Sequence, residues 1–175
     1  LTREYILSLT TFAAPAAVLL KSRNESVAIA ESSTGGLISA SLLAVPGASA
    51  YFLGGAVIYT RESRRIFMDL PMEKLKGVKP LTEEIARIFA ESIRETMGST
   101  WGVAELGVAG PSGTPYSDEV GVSVIAIAGP IVRSEKIETG HNERERNMHQ
   151  FSERALALLE ATLMEAENEK TGRGE

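Results

Sequence analysis

The chain has 175 residues, 43% of them hydrophobic and 23% charged, with a formal net charge of -5; this is the balance of one globular domain able to bury a core. With no cysteine, disulfides, thiolate catalysis and cysteine-bound zinc or iron–sulfur clusters are excluded, and with only His141 and His149 so is a site of several histidine ligands. The acidic balance argues against a nucleic-acid partner. No apolar run approaches the ~20 residues that cross a bilayer, so a cytoplasmic chain without membrane contact is expected.

Residues 2–22 place Ile6, Leu9, Ala13, Ala16 and Leu20 at spacings of three and four, which predicts one buried helical face. Pro15 inside it predicts a kink or a second helix starting there. Phe12 to Leu20 is apolar enough for a signal-peptide core, but its basic flank is weak and its period suits an amphipathic helix. Ser26 to Ala30 then reads as a strand buried on both faces, and Leu37 to Leu43 returns to helical spacing, carrying a second helix to Ala44. Between them stands Glu31-Ser32-Ser33-Thr34-Gly35-Gly36. Glycines let such a strand-to-helix turn close sharply. The first amides of the helix point outward, and with the positive helix end they can hold a phosphate or a developing oxyanion. Ser32 and Ser33 add possible nucleophiles or donors. Two plainer roles stand beside these: Thr34 capping the helix, and Glu31 ordering the turn rather than meeting a ribose hydroxyl.

Val45 to Ser49 is a turn, and Tyr51 to Tyr59 reads as a second buried strand with a bulge or close approach at Gly54-Gly55. Thr60 is placed to cap a short helix through Met68. Residues 71–80 form an exposed connection with solvated lysines, and Thr82 opens a helix expected to bury Ile85, Phe89, Ile93 and Thr96 and to stop at Gly98. Trp101 to Val108 is a third strand, followed by the glycine- and proline-rich loop from Ala109 to Pro115. Gly121 to Ala128 and Ile131 to Thr139 read as a hairpin. A last helix runs from about Glu143 to Glu165 with Asn142 and Glu145 as its capping pair, and residues 167–175 lack an apolar period and are expected to be a disordered tail.

Strands alternating with helices predict an α/β chain: one three-layer α/β/α domain over residues 1–166 around a mixed, mostly parallel sheet of about five strands. Ligands of such sheets sit beyond the carboxyl ends of the strands. The glycine turns after the first and third strands both lie there, so one shared pocket is expected.

These segments together resemble the C-terminal domain of the CinA (competence/damage-inducible) family. Glu31 to Gly36, Val45 to Gly55 with Val57 and Tyr59, Leu81-Thr82-Glu83-Glu84, and Gly107-Val108-Ala109-Gly110-Pro111 with Gly113-Thr114-Pro115 fall in order at the family's spacing. The resemblance covers nearly the whole chain. Larger family members carry a further N-terminal domain, for which these residues leave no room, so the likeness is to the stand-alone form. It implies an amidohydrolase that converts the carboxamide of nicotinamide mononucleotide (NMN), or of a related nucleotide, to the acid and ammonia. It implies no required cofactor, a small-molecule nucleotide as partner, and self-association into a homo-oligomer; the sequence itself offers no metal site. Carried over by position, the implied serine is Ser32 or Ser49, the tyrosine Tyr59, and the assisting lysine falls on Arg64. Glu31, Ser33, Thr34, Gly35, Gly36, Gly107, Ala109, Gly110 and Asn142 fall on the implied binding positions.

Three departures bear on the chemistry. Arg64 keeps its charge at any working pH and does not accept a proton as a lysine can. Leu106 stands where a hydroxyl is usual, and Asn142 stands near an arginine of the family, with Arg144 and Arg146 just beyond. Three readings remain open: a divergent amidohydrolase with Tyr59 beside Arg64 as base, a hydrolase for a related nucleotide, or an inactive nucleotide-binding or interaction homologue. Arg61, Arg64 and Arg65 together favour an anionic ligand, whereas His141 and His149 read as a loop residue and a packed or solvated helix residue. Tyr116 is a candidate interface residue.

Overall fold

A computed structural model describes residues 8–172 apart from 69, 71 and 116. The segments expected at residues 2–7 and 173–175, and Tyr116, lie outside the described residues. Five helices and five strands follow in order: α1 (Thr10–Ser22), β1 (Val27–Glu31), α2 (Leu37–Ala44), β2 (Phe52–Val57), α3 (Arg61–Phe67), α4 (Glu83–Met97), β3 (Trp101–Val108), β4 (Val122–Ala128), β5 (Arg133–Glu138) and α5 (Arg144–Gly172). The sheet order is β2-β1-β3-β4-β5. β1 pairs parallel with β2 and β3, and β4 pairs antiparallel with β3 and β5. Four strands therefore point one way and β4 alone points back, giving the mixed, mostly parallel sheet expected of the sequence.

Side chains alternate across each strand, and this divides the core into two layers. Val27, Ile29, Val103, Ile125 and Ile127 pack under α1, α2 and α5 through Ala16, Leu20, Ile38, Leu42, Leu159 and Leu163. The other face carries Ala28, Ala30, Ala104 and Ala126, small residues that let Phe89, Ile85 and Ile93 of α4 lie close on the strands. β1, β3 and β4 are covered on both sides, which is why their sequences are apolar apart from Glu31, Glu105 and Ser123.

Four local expectations are corrected. β2 is an edge strand with alternating exposure, not a strand buried throughout; its expected irregularity is real, since Val27 pairs with Phe52 and Ala28 with Gly54. Helix α1 continues through Pro15 as one element, so no second helix starts there. Thr34 does not cap α2, whose N-cap is Gly36 with φ 106°. Helix α5 continues to Gly172 where a disordered tail was expected, because glutamates and lysines extend a helix by propensity without an apolar period.

Candidate active site at the carboxyl end of the sheet

The turns after β1 and β3 do converge. A cavity of about 540 Å³ is lined by Ser32, Ser33, Tyr59, Arg61, Arg64, Leu106 to Gly110, Ser112 to Pro115, and Arg144, with Val78, Pro80, Leu81 and Ile85 as its apolar wall. A larger groove of about 860 Å³ runs between α1, α2 and the start of α5. It touches none of the sequence-predicted site residues, and Arg144 borders both spaces.

Two buried glutamates build the turn. Glu31, the last residue of β1, and Glu105, inside β3, are register partners, and both are fully buried. Glu31 Oε1 accepts from the Ser39 amide (3.0 Å) and hydroxyl (2.6 Å), and its Oε2 from the Gly36 and Ile38 amides (3.0 and 3.1 Å) and the Thr34 hydroxyl (2.7 Å). The first amides of α2 therefore already hold an anion, the chain's own, which a helix N-terminus favours. The phosphate or oxyanion role expected for them, and the ribose contact considered for Glu31, are corrected to this internal one. Gly35 and Gly36, with φ of 65° and 106°, allow the chain to fold back around that carboxylate.

Glu105 serves the opposite side of the same turn. Its Oε2 accepts from the amides of Ser32 and Thr34, each at 3.1 Å, and stands 3.1 Å from the Thr34 hydroxyl, whose one proton goes to Glu31 at 2.7 Å. Its Oε1 accepts from Ser33 Oγ at 2.5 Å and Ser123 Oγ at 2.9 Å. Gly107 makes room for this contact, since a Cβ there would stand 2.5 Å from Ser33 Oγ and 2.8 Å from Glu105 Oε1. Thr34 is buried between the two carboxylates and does not reach the cavity.

The cationic wall comes from α3 and α5. Thr60 and Ser63 cap α3 reciprocally, at 2.9 and 3.1 Å, which fixes the helix that bears Arg61 and Arg64. Arg64 donates from Nε to the Ile58 carbonyl at 3.1 Å and stacks 5.6 Å from the Phe89 ring centroid. Arg65, expected in the same cluster, turns away and pairs with Glu62 at 2.6 Å on the exposed side. Arg144 takes its place, donating to the Gly110 carbonyl at 2.7 Å and to the Tyr59 hydroxyl at 3.2 Å. Behind it the buried Asn147 donates to the Ala109 and His141 carbonyls at 2.9 and 3.0 Å and accepts from the Thr139 hydroxyl at 2.6 Å, tying the loops after β3 and β5 to α5.

Of the residues expected at the site, Ser32, Ser33, Tyr59, Arg64, Gly107, Ala109 and Gly110 line the cavity. Ser49 does not. It is exposed in the turn before β2, at the amino ends of the parallel strands, the far edge of the sheet. Asn142 is exposed and only its carbonyl approaches Gly110. Helix α5 begins one residue later than an Asn142 cap requires, and the Glu143 amide meets His141 Nδ1 at 3.3 Å instead. The reading missed Glu105 and Arg144 as site residues. A lone acid inside an otherwise apolar strand was the available signal for the first, and an arginine just past the last strand for the second. Among the described residues no group of three or more metal-ligating side chains forms, and no helix is long and apolar enough to cross a membrane.

Fold and site define an α/β/α domain with a serine- and arginine-lined pocket at its carboxyl edge. Residues 9–163 match the CinA C-terminal domain, and the chain belongs to that family. It is 38% identical over 144 residues to a CinA-like protein of Anaeromyxobacter sp. (strain K), and 36% identical over 148 residues to one of Myxococcus xanthus (strain DK1622). These alignments cover 82% and 83% of this chain and 35% of either relative, so the chain spans about a third of their length. A CinA superfamily protein of Klebsiella pneumoniae 700603 shares the fold with a TM-score of 0.82 at 23% identity, over 90% of this chain and 98% of that one. A competence/damage inducible protein of Agrobacterium tumefaciens superposes with a TM-score of 0.79 at 26% identity, over 87% and 94%.

Proposed function

We propose that this cavity binds a small anionic nucleotide and hydrolyses its carboxamide, with NMN as the substrate that the family resemblance points to. The observation that carries the reading is the meeting of Ser32, Ser33, Tyr59, Arg61, Arg64 and Arg144 in the wall of one cavity. Its 540 Å³ lies in the range of about 300–1,000 Å³ that suits small-molecule ligands. Guanidinium groups match phosphate oxygens in pairs, and Leu81, Ile85, Leu106 and Val108 offer a flat ring an apolar wall.

In this reading a serine hydroxyl of the Ser32–Ser33 turn attacks the amide carbon, ammonia leaves, and water hydrolyses the resulting ester. Tyr59 accepts from Arg144, so its own proton is directed away from that arginine. With the α2 amides occupied by Glu31, the developing oxyanion falls to the loop after β3 and to the arginines. The protein acts as a homo-oligomer in the cytoplasm.

The test is ammonia release by the purified protein from NMN, with nicotinamide and NAD beside it. Release from NMN, abolished when the turn serines are replaced by alanine, is the expected result; silence from about pH 6 to about pH 10 overturns the reading. One observation favours a second, binding-only reading: Arg64 is no proton acceptor and its Nε is engaged by Ile58. That reading predicts a melting midpoint raised by NMN without ammonia.

A further inference from the structure

We infer that Ser33 is the nucleophile of this site and Glu105 the general base that takes its proton. The inference rests on the amidohydrolase reading above and assigns its central pair. A base must stand within hydrogen-bond reach of the proton it removes. Arginines 61, 64 and 144 do not accept protons, and Tyr59 is 56% exposed and held from outside by Arg144. The cavity wall contains a hydroxyl already donating to a carboxylate, Ser33 Oγ to Glu105 Oε1 at 2.5 Å.

The two oxygens of Glu105 are held differently. Oε2 is fixed by the Ser32 and Thr34 amides at 3.1 Å each, donors that cannot rotate. Oε1 meets only hydroxyls, those of Ser33 and Ser123. Ser123 Oγ also stands 3.4 Å from the Leu106 carbonyl, so when Oε1 takes a proton Ser123 can turn its own toward that second acceptor. Gly107 and Ser33 both stand in the cavity wall, and the missing Cβ of Gly107 is what lets Ser33 Oγ and Glu105 Oε1 lie so close against its backbone. A substrate carbonyl would reach Ser33 from the cavity that it lines. Glu31, equally buried, has no such arrangement: its hydroxyl partners Thr34 and Ser39 lie outside the cavity wall.

The step balances. Ser33 Oγ bonds to the amide carbon as its proton passes to Glu105 Oε1, and the carbon–nitrogen bond breaks as that proton passes to the leaving nitrogen, giving ammonia and an ester. Water then attacks the ester carbon and gives a proton to Oε1, and the carbon–Oγ bond breaks as that proton returns to Ser33. Amide and water become acid and ammonia.

The test pairs two readouts on the full chain: labelling by a fluorophosphonate, mapped by mass spectrometry, and ammonia release from NMN. Labelling of Ser33 is expected, slowed about 100-fold or more in Glu105→Gln, with turnover lost in Ser33→Ala while its NMN-induced rise in melting midpoint persists. If Glu105→Gln fails to fold, Ser33→Ala and Glu105→Asp, which withdraws the carboxylate by one methylene, decide. Label on Ser32, no label on Ser33, or full turnover in Ser33→Ala overturns the pair. Label on Ser33 without ammonia from NMN supports the pair and removes the NMN reading, whereas ammonia with label on Ser32 does the reverse.

Discussion

The two ends of the sheet are built from similar residues and end differently. At the amino ends of the parallel strands, Trp101 Nε1 donates to Glu25 at 2.8 Å, the Tyr51 hydroxyl to the Leu42 carbonyl at 2.5 Å, and Ser26 and Thr100 bond to each other. Trp101 and Tyr51 are fully buried there, and Gly129 lies against the Trp101 ring. Each polar atom is satisfied and the space is filled. At the carboxyl ends two glutamates satisfy the turn just as fully, yet the space in front is left open and hydroxyls border it. Burial and hydrogen bonding therefore do not distinguish a site from a scaffold; unfilled volume beside a satisfied network does.

The largest expected effect is at Glu31. Glu31→Ala strips the first α2 amides of their acceptor and should cost about 3 kcal/mol or more in urea unfolding, through the fold rather than the chemistry. A loss near zero would break the distinction drawn between the two glutamates. Next, Gly107→Ala drives a Cβ against Ser33 Oγ, Glu105 Oε1 and the Val122 carbonyl; this overpacking should cost about 1–3 kcal/mol and remove the NMN-dependent melting shift. At the filled end, Tyr51→Phe should cost about 1 kcal/mol and leave ligand response intact. Burial pushes the Tyr51 phenol above its ordinary value of 10.0. The folded chain thus holds that proton more tightly than the unfolded one, so its contribution is complete below pH 10 and falls as pH rises through the raised value. Tyr51→Phe should flatten that alkaline decline in a pH series of melting midpoints. Ser49→Ala, exposed at the same far edge, should change stability by less than about 0.5 kcal/mol and leave turnover unchanged; lost turnover would place the chemistry at the wrong end of the molecule.

Much of the fold was legible. Continuous apolar runs marked β1, β3 and β4, and Thr60, Thr82 and Gly98 marked helix ends that the structure reproduces. The edge position of β2 was not legible, because Tyr51 to Tyr59 is as apolar as a central strand and only the pairing order exposes one side. At the site, the glycine turns pointed to the right end of the sheet. Ser49 misled because sequence adjacency to β2 says nothing about which end of a strand a residue occupies until strand direction is known.

By itself the sequence determined the alternation of strands and helices, the family, and which turn bears the hydroxyls, since these depend on local period and local chemistry. Only the tertiary structure decided the roles. Parallel pairing of β1 with β3 puts Glu31 beside Glu105, residues 74 positions apart, and sends one carboxylate to the helix and the other to Ser33. A buried carboxylate takes its function from the donors that surround it, and those donors come from segments that only folding brings together.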